Sequence, residues 1–156
     1  MAVSVFIARR IDAGLFAHVH DGVFDTTPDP HLLESFLAAD HLHIAVAVDR
    51  DLMVGMACGV VSHYPDQAPS LWITRLRVAP PWRRQGVGTR LVMTMMDHAL
   101  RLGCDRVCAM ADPDSGPDTG PDTDDSPLNA AAIDAFWTRL RWSPSATRPI
   151  LFSCPL

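Results

Sequence analysis

The residues best suited to chemistry lie in one short loop, "APPWRRQGVG", which spans Ala79 to Gly88. The loop lies between a β-like stretch and an amphipathic helix, so its glycines fall at the helix start. A helix N-terminus carries unpaired backbone N–H groups and a partial positive charge, which together suit a phosphate. Gly86 and Gly88 allow close backbone approach, and Arg83 and Arg84 add cationic donors. By composition, the loop fits a diphosphate site and a simple basic turn equally well.

The overall composition excludes several kinds of site. The chain has 156 residues, 48% hydrophobic and 20% charged, which indicates one globular domain over residues 1–156. A net charge of −5 disfavours nucleic acid as a partner. The chain has no lysine, and Glu34 is its only glutamate, so a P-loop lysine and a lysine Schiff base are excluded. The apolar run Leu52 to Val61 is too short to span a membrane, and the first ten residues, with apolar residues before the arginines, have the reverse order of a secretory signal. The sequence therefore predicts a cytoplasmic protein without membrane contact.

The elements around the loop follow from hydrophobic periodicity and from turn residues. Strands are predicted over 3–10, 43–48, 52–63, 71–78, 105–110 and 148–154, with helices near 12–24, 29–41, 88–103 and 126–140. The stretch "HYPDQAPS", residues 63–70, is predicted to be a loop. On the 88–103 helix, Leu91, Met95, Ala99 and Leu102 share one face and are expected in the core. This order predicts an α/β (α+β layered) domain with a mixed sheet, in which strand 71–78 precedes a parallel crossover.

Two further features could suggest a metal. Residues 112–126 form an acidic loop with a loose Pro-Asp-Ser/Thr-Gly repeat, and their spacing does not match an EF-hand. We predict a mobile loop, with attraction of a cationic acceptor as the alternative. Cys58, Cys104, Cys108 and Cys154 lack paired CxxC spacing and are better explained as buried free thiols. We therefore predict no metal site.

Two motifs carry a family resemblance. The segment "RVAPPWRRQGVGTRLV" contains an R-x-x-G-x-G signature at Arg83, Gly86 and Gly88, directly after a strand. The later segment "NAAAIDAFWTRLRW" is similar to a second motif of the same superfamily. Together with the element order, these residues resemble the GNAT superfamily of N-acetyltransferases, whose fold is a mixed sheet of about seven strands flanked by about four helices. Residues 63–92 also resemble, more weakly, the aminoglycoside 3-N-acetyltransferases.

The resemblance implies acetyl-CoA as co-substrate and a set of residues that would bind it. The backbone amides of the loop would hold the pyrophosphate, in the segment Arg83, Arg84, Gln85, Gly86, Val87, Gly88 and Thr89. Main-chain groups of Leu76 and Val78 would pair with the pantetheine arm, and one of these amides would polarise the acetyl carbonyl. Asn129 would flank the far end of the arm, or would cap the last helix.

Three positions depart from the pattern that the resemblance implies. Arg75 stands where relatives often have a carboxylate, and arginine cannot act as a general base. Trp137 stands where a tyrosine is usual, and Arg141 stands where a glycine is usual. The remaining candidates for catalysis are His63 and Tyr64.

The acceptor site has its own candidate residues. Arg75, Trp72 and Asp66 are predicted to contact the acceptor, although Arg75 could equally pair with a nearby aspartate. The predicted function is an acetyl-CoA-dependent N-acetyltransferase that acts on a small-molecule amine, with aminoglycosides among the candidates, by direct attack in a ternary complex. Peptide amines are also candidate acceptors, and dimers are common among similar proteins. The alternative is a non-catalytic CoA-binding or regulatory module on the same fold.

Overall fold

The computed structural model describes residues 3–109 and 137–142. In this part of the chain, five strands form one sheet in the order β1 (Ser4–Ile7), β2 (Leu42–Asp49), β3 (Leu52–Tyr64), β4 (Gln67–Val78) and β5 (Arg106–Ala109). The first four strands run antiparallel to their neighbours, and β5 runs parallel to β4. The expected mixed sheet and α/β class are confirmed. Seven strands are not shown, because the predicted 148–154 strand lies outside the described residues. Most of the predicted 126–140 helix also lies outside them.

Two α-helices cover opposite faces of this sheet. Helix α1 (Pro30–Ala38) begins as predicted, because the Asp29 carboxylate accepts from the amides of His31 at 2.8 Å and Leu32 at 3.0 Å. Helix α2 (Val87–Arg101) connects β4 to β5 and so completes the predicted parallel crossover. Gly103 follows α2 with a φ of +78°, a left-handed conformation that favours glycine and ends the helix.

Each face of the sheet has its own core. On the α2 face, Leu91, Val92, Met95 and Ala99 pack against inward-pointing residues of β2, β3 and β4. On the other face, α1 and a 3-10 helix (Arg10–Ala17) cover residues such as Met56. No helix among the described residues is long and apolar enough to cross a membrane.

The structure corrects three local predictions. The predicted 63–70 loop is a hairpin, in which β3 and β4 continue to a two-residue turn at Pro65 and Asp66. The first predicted helix is a 3-10 helix that ends at Ala17. Leu102 is partly exposed, and its neighbour Leu100 is 72% exposed, because the buried stripe of α2 ends at Ala99.

Candidate functional site

The loop between β4 and α2 has an unusual backbone. After a 3-10 turn at Pro80–Trp82, Arg84 has a φ of +61° and Gly86, the residue that caps α2, has a φ of +80°. Both values lie in the left-handed region, which costs a non-glycine residue about 1–2 kcal/mol. Strain of this kind persists where surrounding structure fixes it, and it is common at ligand sites.

This backbone leaves a row of amide donors without well-formed hydrogen bonds. In the described part of the chain, residues 83–86 form a turn, but no backbone hydrogen bond of good geometry is donated by the amides of residues 84–89, and the first such bond of the helix runs from the Arg90 amide to the Gly86 carbonyl at 3.0 Å. A Cβ built on Gly86 would have no atom within 4 Å, so the space beside it is open. The first turn of α2 contains no acidic side chain. The arrangement can therefore hold an anion such as a diphosphate.

Three side-chain hydrogen bonds hold the loop in place. Arg83 Nε donates to the Val78 carbonyl at 2.9 Å, and Gln85 Nε2 donates to the Pro81 carbonyl at 2.7 Å. At the loop entrance, Trp82 Nε1 donates to the Asp49 carboxylate at 2.9 Å. The guanidinium expected beside a phosphate is therefore that of Arg84, which is exposed and has no hydrogen-bond or ion-pair partner among the described residues.

No described residue pairs with the β5-side edge of β4 next to this loop. The described pairs of β4 and β5 run to Ile73 with Ala109, the last described residue of that segment, and a bulge at Thr74 interrupts the pairing of β4 with β3. The Ala79 amide donates to a β3 carbonyl, so Leu76 and Val78, in the alternate register, point their amide and carbonyl groups to the opposite edge. The Val78 carbonyl accepts from Arg83, which leaves the Val78 amide and both groups of Leu76 facing outward. An extended chain with its own amides could pair with this edge.

On the α1 face of β4, a carboxylate lies between two arginines. Asp25 is 2.8 Å from Arg77 Nη2 and 3.4 Å from Arg75 Nη1. Arg75 thus pairs with an aspartate, which is one of the two interpretations of Arg75 given by the sequence. Trp72 lies on the same face, two rungs further along β4. Sequence reasoning missed Arg77, which strand alternation could have placed beside Arg75. It also missed Asp25, for which the sequence carries no local signal.

The catalytic candidates His63 and Tyr64 and the candidate acceptor contact Asp66 lie far from the loop. His63 and Tyr64 end β3, and Asp66 is in the β3–β4 turn. From that turn to Leu76, the extended strand covers about 30 Å at roughly 3.3 Å per residue. The structure therefore does not bring these three residues together with the loop or with Arg75. The cause is the hairpin: because β3 and β4 continue beyond the expected strand ends, residues 63–66 are carried away from the site.

The cysteines and the last described segment bear on the mechanism. Burial raises the pKa of Cys58 to about 12 and also raises the pKa values of Cys104 and Cys108, so these thiols stay protonated and weakly nucleophilic.

Trp137 stacks on Trp142 with ring centroids 4.7 Å apart, and both pack against the α2-side core. The described residues contain no group of three or more His, Cys, Asp or Glu that could hold a metal ion. Asn129, Cys154 and the 112–126 loop lie outside the described residues.

Comparison with known proteins gives a family and a fold. The model for the acetyltransferase (GNAT) family matches residues 14–116, which is more than half of the chain. Among solved structures, the chain is similar to an aminoglycoside acetyltransferase, meta-AAC0020, from an uncultured soil metagenomic sample in complex with sisomicin. The TM-score is 0.73 at 20% identity, and the match covers 99% of this chain and 96% of that chain.

Two further solved structures represent different acceptors. One is AAC(6')-Iy in complex with the bisubstrate analogue CoA-S-monomethyl-acetylneamine, with a TM-score of 0.73 at 16% identity and full coverage of both chains, 100% and 100%. The other is a ribosomal-protein-alanine N-acetyltransferase from Brucella melitensis biovar Abortus 2308, with a TM-score of 0.69 at 14% identity and coverage of 98% and 100%. No curated protein sequence matches the chain. At these identities the structural likeness shows the fold.

Proposed function

Since this chain belongs to the GNAT acetyltransferase family, we propose that it transfers an acetyl group from acetyl-CoA to an amine of a small molecule. The observation that carries the proposal is the run of amides at residues 84–89 that lack well-formed hydrogen bonds among the described residues, directly beside an edge of β4 that no described residue pairs. The amides would hold the CoA pyrophosphate, with Arg84 as an additional cation. Leu76 and Val78 would pair with the pantetheine arm. Asn129 remains a prediction for the far end of that arm.

The chemistry we propose is direct attack in a ternary complex. The neutral amine of the acceptor attacks the thioester carbonyl, while an outward amide of Leu76 or Val78 stabilises the oxygen that becomes negative. Cys58 does not need to act as a nucleophile, and its raised pKa disfavours such a role. Catalysis then depends on positioning of the two substrates and on carbonyl polarisation.

The attacking amine must lose a proton. His63 and Tyr64 lie at the far end of the β3–β4 hairpin and are too distant to accept it. Arg75 stays protonated and cannot accept it. We therefore propose that the proton leaves through water, without a dedicated base among the residues that the structure describes. Aminoglycosides are the acceptor class named for several neighbours and are a first set to test. A homodimer also remains a prediction.

Two measurements test the proposed function. Calorimetric titration with CoA should show micromolar-range binding, and release of free thiol from acetyl-CoA should depend on added amine. Arg84→Glu should weaken CoA binding sharply, because it places a negative charge at the anion site. A wild-type protein that binds no CoA would rule out the function, and unchanged affinity in the variant would rule out the proposed position of the pyrophosphate.

The second candidate function is a non-catalytic CoA-binding module. It is favoured by Arg75 and Trp137, which occupy positions where relatives often have an acid or a base. Binding of CoA without thiol release across aminoglycosides, polyamines, amino acids and peptides would support it. Turnover with any one amine would exclude it.

A further inference from the structure

A cavity of about 410 Å³ lies on the α1 face of β4, next to the site proposed for the thioester. Its floor is formed by Ile44 of β2, Cys58 of β3 and Arg75 of β4, and Arg75 directly precedes Leu76 in the chain. The volume lies in the lower part of the range of small-molecule sites. The cavity can therefore hold the body of an acceptor whose amine reaches the adjacent edge of β4.

Aromatic and aliphatic side chains form most of the wall among the described residues. Phe16 and Phe24 come from the N-terminal segment, with ring centroids 6.2 Å apart, and Phe36 comes from α1. Leu32 of α1 also lines the cavity, and its side chain is 73% exposed. A ligand that lies against these residues would therefore contact apolar surface on several sides.

The charged residues that line the cavity are satisfied within the protein. Both carboxylate oxygens of Asp25 contact guanidiniums, because Oδ2 lies 3.4 Å from Arg75 and Oδ1 lies 2.8 Å from Arg77. The Asp29 carboxylate accepts two amides at the start of α1, which is the positive end of that helix. Among the described lining residues, these contacts provide neither an unpaired cation for a carboxylate nor a cluster of carboxylates for several ammonium groups.

This charge balance disfavours two kinds of acceptor. An acceptor carboxylate would lose its water without gaining a cation of its own, and a polycation would bring several ammonium groups to side chains that are already paired. A single amine on an apolar body does not carry this cost. The body gains free energy, because it moves from water to an apolar wall.

We propose that the acceptor is a primary monoamine with an aromatic or aliphatic body and no carboxylate, as in phenethylamine or hexylamine. Its body packs among Phe16, Phe24 and Phe36, and its amine lies at the edge of β4 beside Leu76. The inference rests on the proposed function, because it names the acceptor class of that same transfer.

The reaction balances without another reactant. The lone pair of the neutral nitrogen forms the C–N bond, the C–S bond breaks, and the sulfur leaves with that electron pair. The nitrogen loses one proton and the sulfur takes up one proton. The products are the N-alkyl acetamide and CoA as free thiol.

Straight-chain amines test the apolar contact directly. Propylamine and hexylamine have nearly the same basicity, so their neutral fractions match at a given pH and they differ only in the length of the apolar chain. Each buried methylene should raise kcat/KM about fourfold, so thiol release should show kcat/KM about 10-fold or more higher for hexylamine. Equal kcat/KM for the two amines would overturn the inference.

Two further acceptors test the charge argument. Phenylalanine carries a carboxylate that phenethylamine lacks, and its amine is less basic, so more of it is neutral at a given pH. A lower kcat/KM for phenylalanine must therefore come from binding, and we expect kanamycin to be a poorer acceptor than hexylamine. Phenylalanine or kanamycin as the best acceptor would overturn the inference.

Two leucines of nearly equal exposure locate the acceptor body. Leu32 lines the cavity, whereas Leu100, 72% exposed, lies on α2 at the other face of the sheet. Leu32→Ala should reduce the ratio of kcat/KM for hexylamine to that for propylamine about threefold or more, because the wall loses apolar contact. The ratio compares two substrates on one protein, so a partly unfolded sample does not change it.

Leu100→Ala is the matched control and should keep the wild-type ratio. The same ratio in wild type and in both variants would overturn the assignment of the acceptor body to this cavity. An equal fall in both variants would overturn it as well.

Calorimetry separates this inference from the function on which it rests. If the wild-type protein binds no CoA, the proposed function and the inference fail together. If it binds CoA and acetylates aminoglycosides but neither hexylamine nor phenethylamine, the proposed function stands and the acceptor inference fails.

Discussion

Arg84 and Arg50 form a matched pair for testing the anion site. Both are exposed arginines with left-handed backbone, φ +61° and +58°. Arg84 lies just before α2, whereas Arg50 lies in the turn between β2 and β3, at the same end of the sheet. Replacement of either by asparagine removes one positive charge and supplies a residue that tolerates this backbone. The two variants therefore differ in their distance from the proposed pyrophosphate and in little else.

The expected magnitudes follow from strain and charge. Relief of part of the 1–2 kcal/mol cost should stabilise each variant by about 0.5–1 kcal/mol. For a chain of this size that raises Tm by roughly 1–4 °C. At an exposed site the lost guanidinium should weaken CoA binding by about 1 kcal/mol, or about fivefold in Kd, for Arg84→Asn only.

Thermal melts and calorimetric titration with CoA give the two readouts. The reasoning predicts that both variants melt higher and that only Arg84→Asn binds CoA more weakly. Wild-type affinity in Arg84→Asn would show that its side chain is not at the anion site. An equal loss in Arg50→Asn would show a general effect of charge, and an unchanged Tm in both variants would refute the strain argument.

Three further predictions concern stability. Trp82→Phe removes the hydrogen bond to buried Asp49 and should lower the free energy of unfolding by about 1–3 kcal/mol in urea titrations; no loss would mean that water replaces the indole. Arg141 has a φ of +61°, so Arg141→Gly relieves backbone strain but adds the entropy cost of glycine. The net change should raise the free energy of unfolding by about 0.5 kcal/mol, and a variant less stable than wild type would contradict this. Burial lowers the pKa values of His43 and His98, whose ring nitrogens are 3.0 Å apart. The native state thus binds fewer protons than the unfolded state. The contribution of these two histidines to the free energy of unfolding should therefore be fully present above about pH 6.5 and be lost as the pH drops below it. Unchanged urea midpoints between pH 7 and pH 5.5 would argue against this.

Much of the fold could be predicted because its signals are local. The cap at Asp29, the buried stripe of α2 up to Ala99 and the glycine that ends α2 each depend on residues within one or two helical turns. The hairpin at residues 63–70 was missed, because polar residues and prolines are typical of loops and strand pairing alone made them a continuation of β3 and β4. The exposure of Leu100 depends on what packs there, which periodicity does not specify.

The candidate site also has one part that follows from local sequence and one part that depends on tertiary packing. The sequence by itself determined the loop proposed to bind an anion, because its donors are consecutive backbone amides whose geometry is set by Gly86 and the start of α2. Only the tertiary structure decided which side chains lie on the α1 face of β4. Asp25 meets Arg75 across fifty residues of chain, and His63 is carried away by the length of an extended hairpin. Contacts of this kind depend on strand register and on how a distant segment packs, and neither is encoded in the spacing of nearby residues.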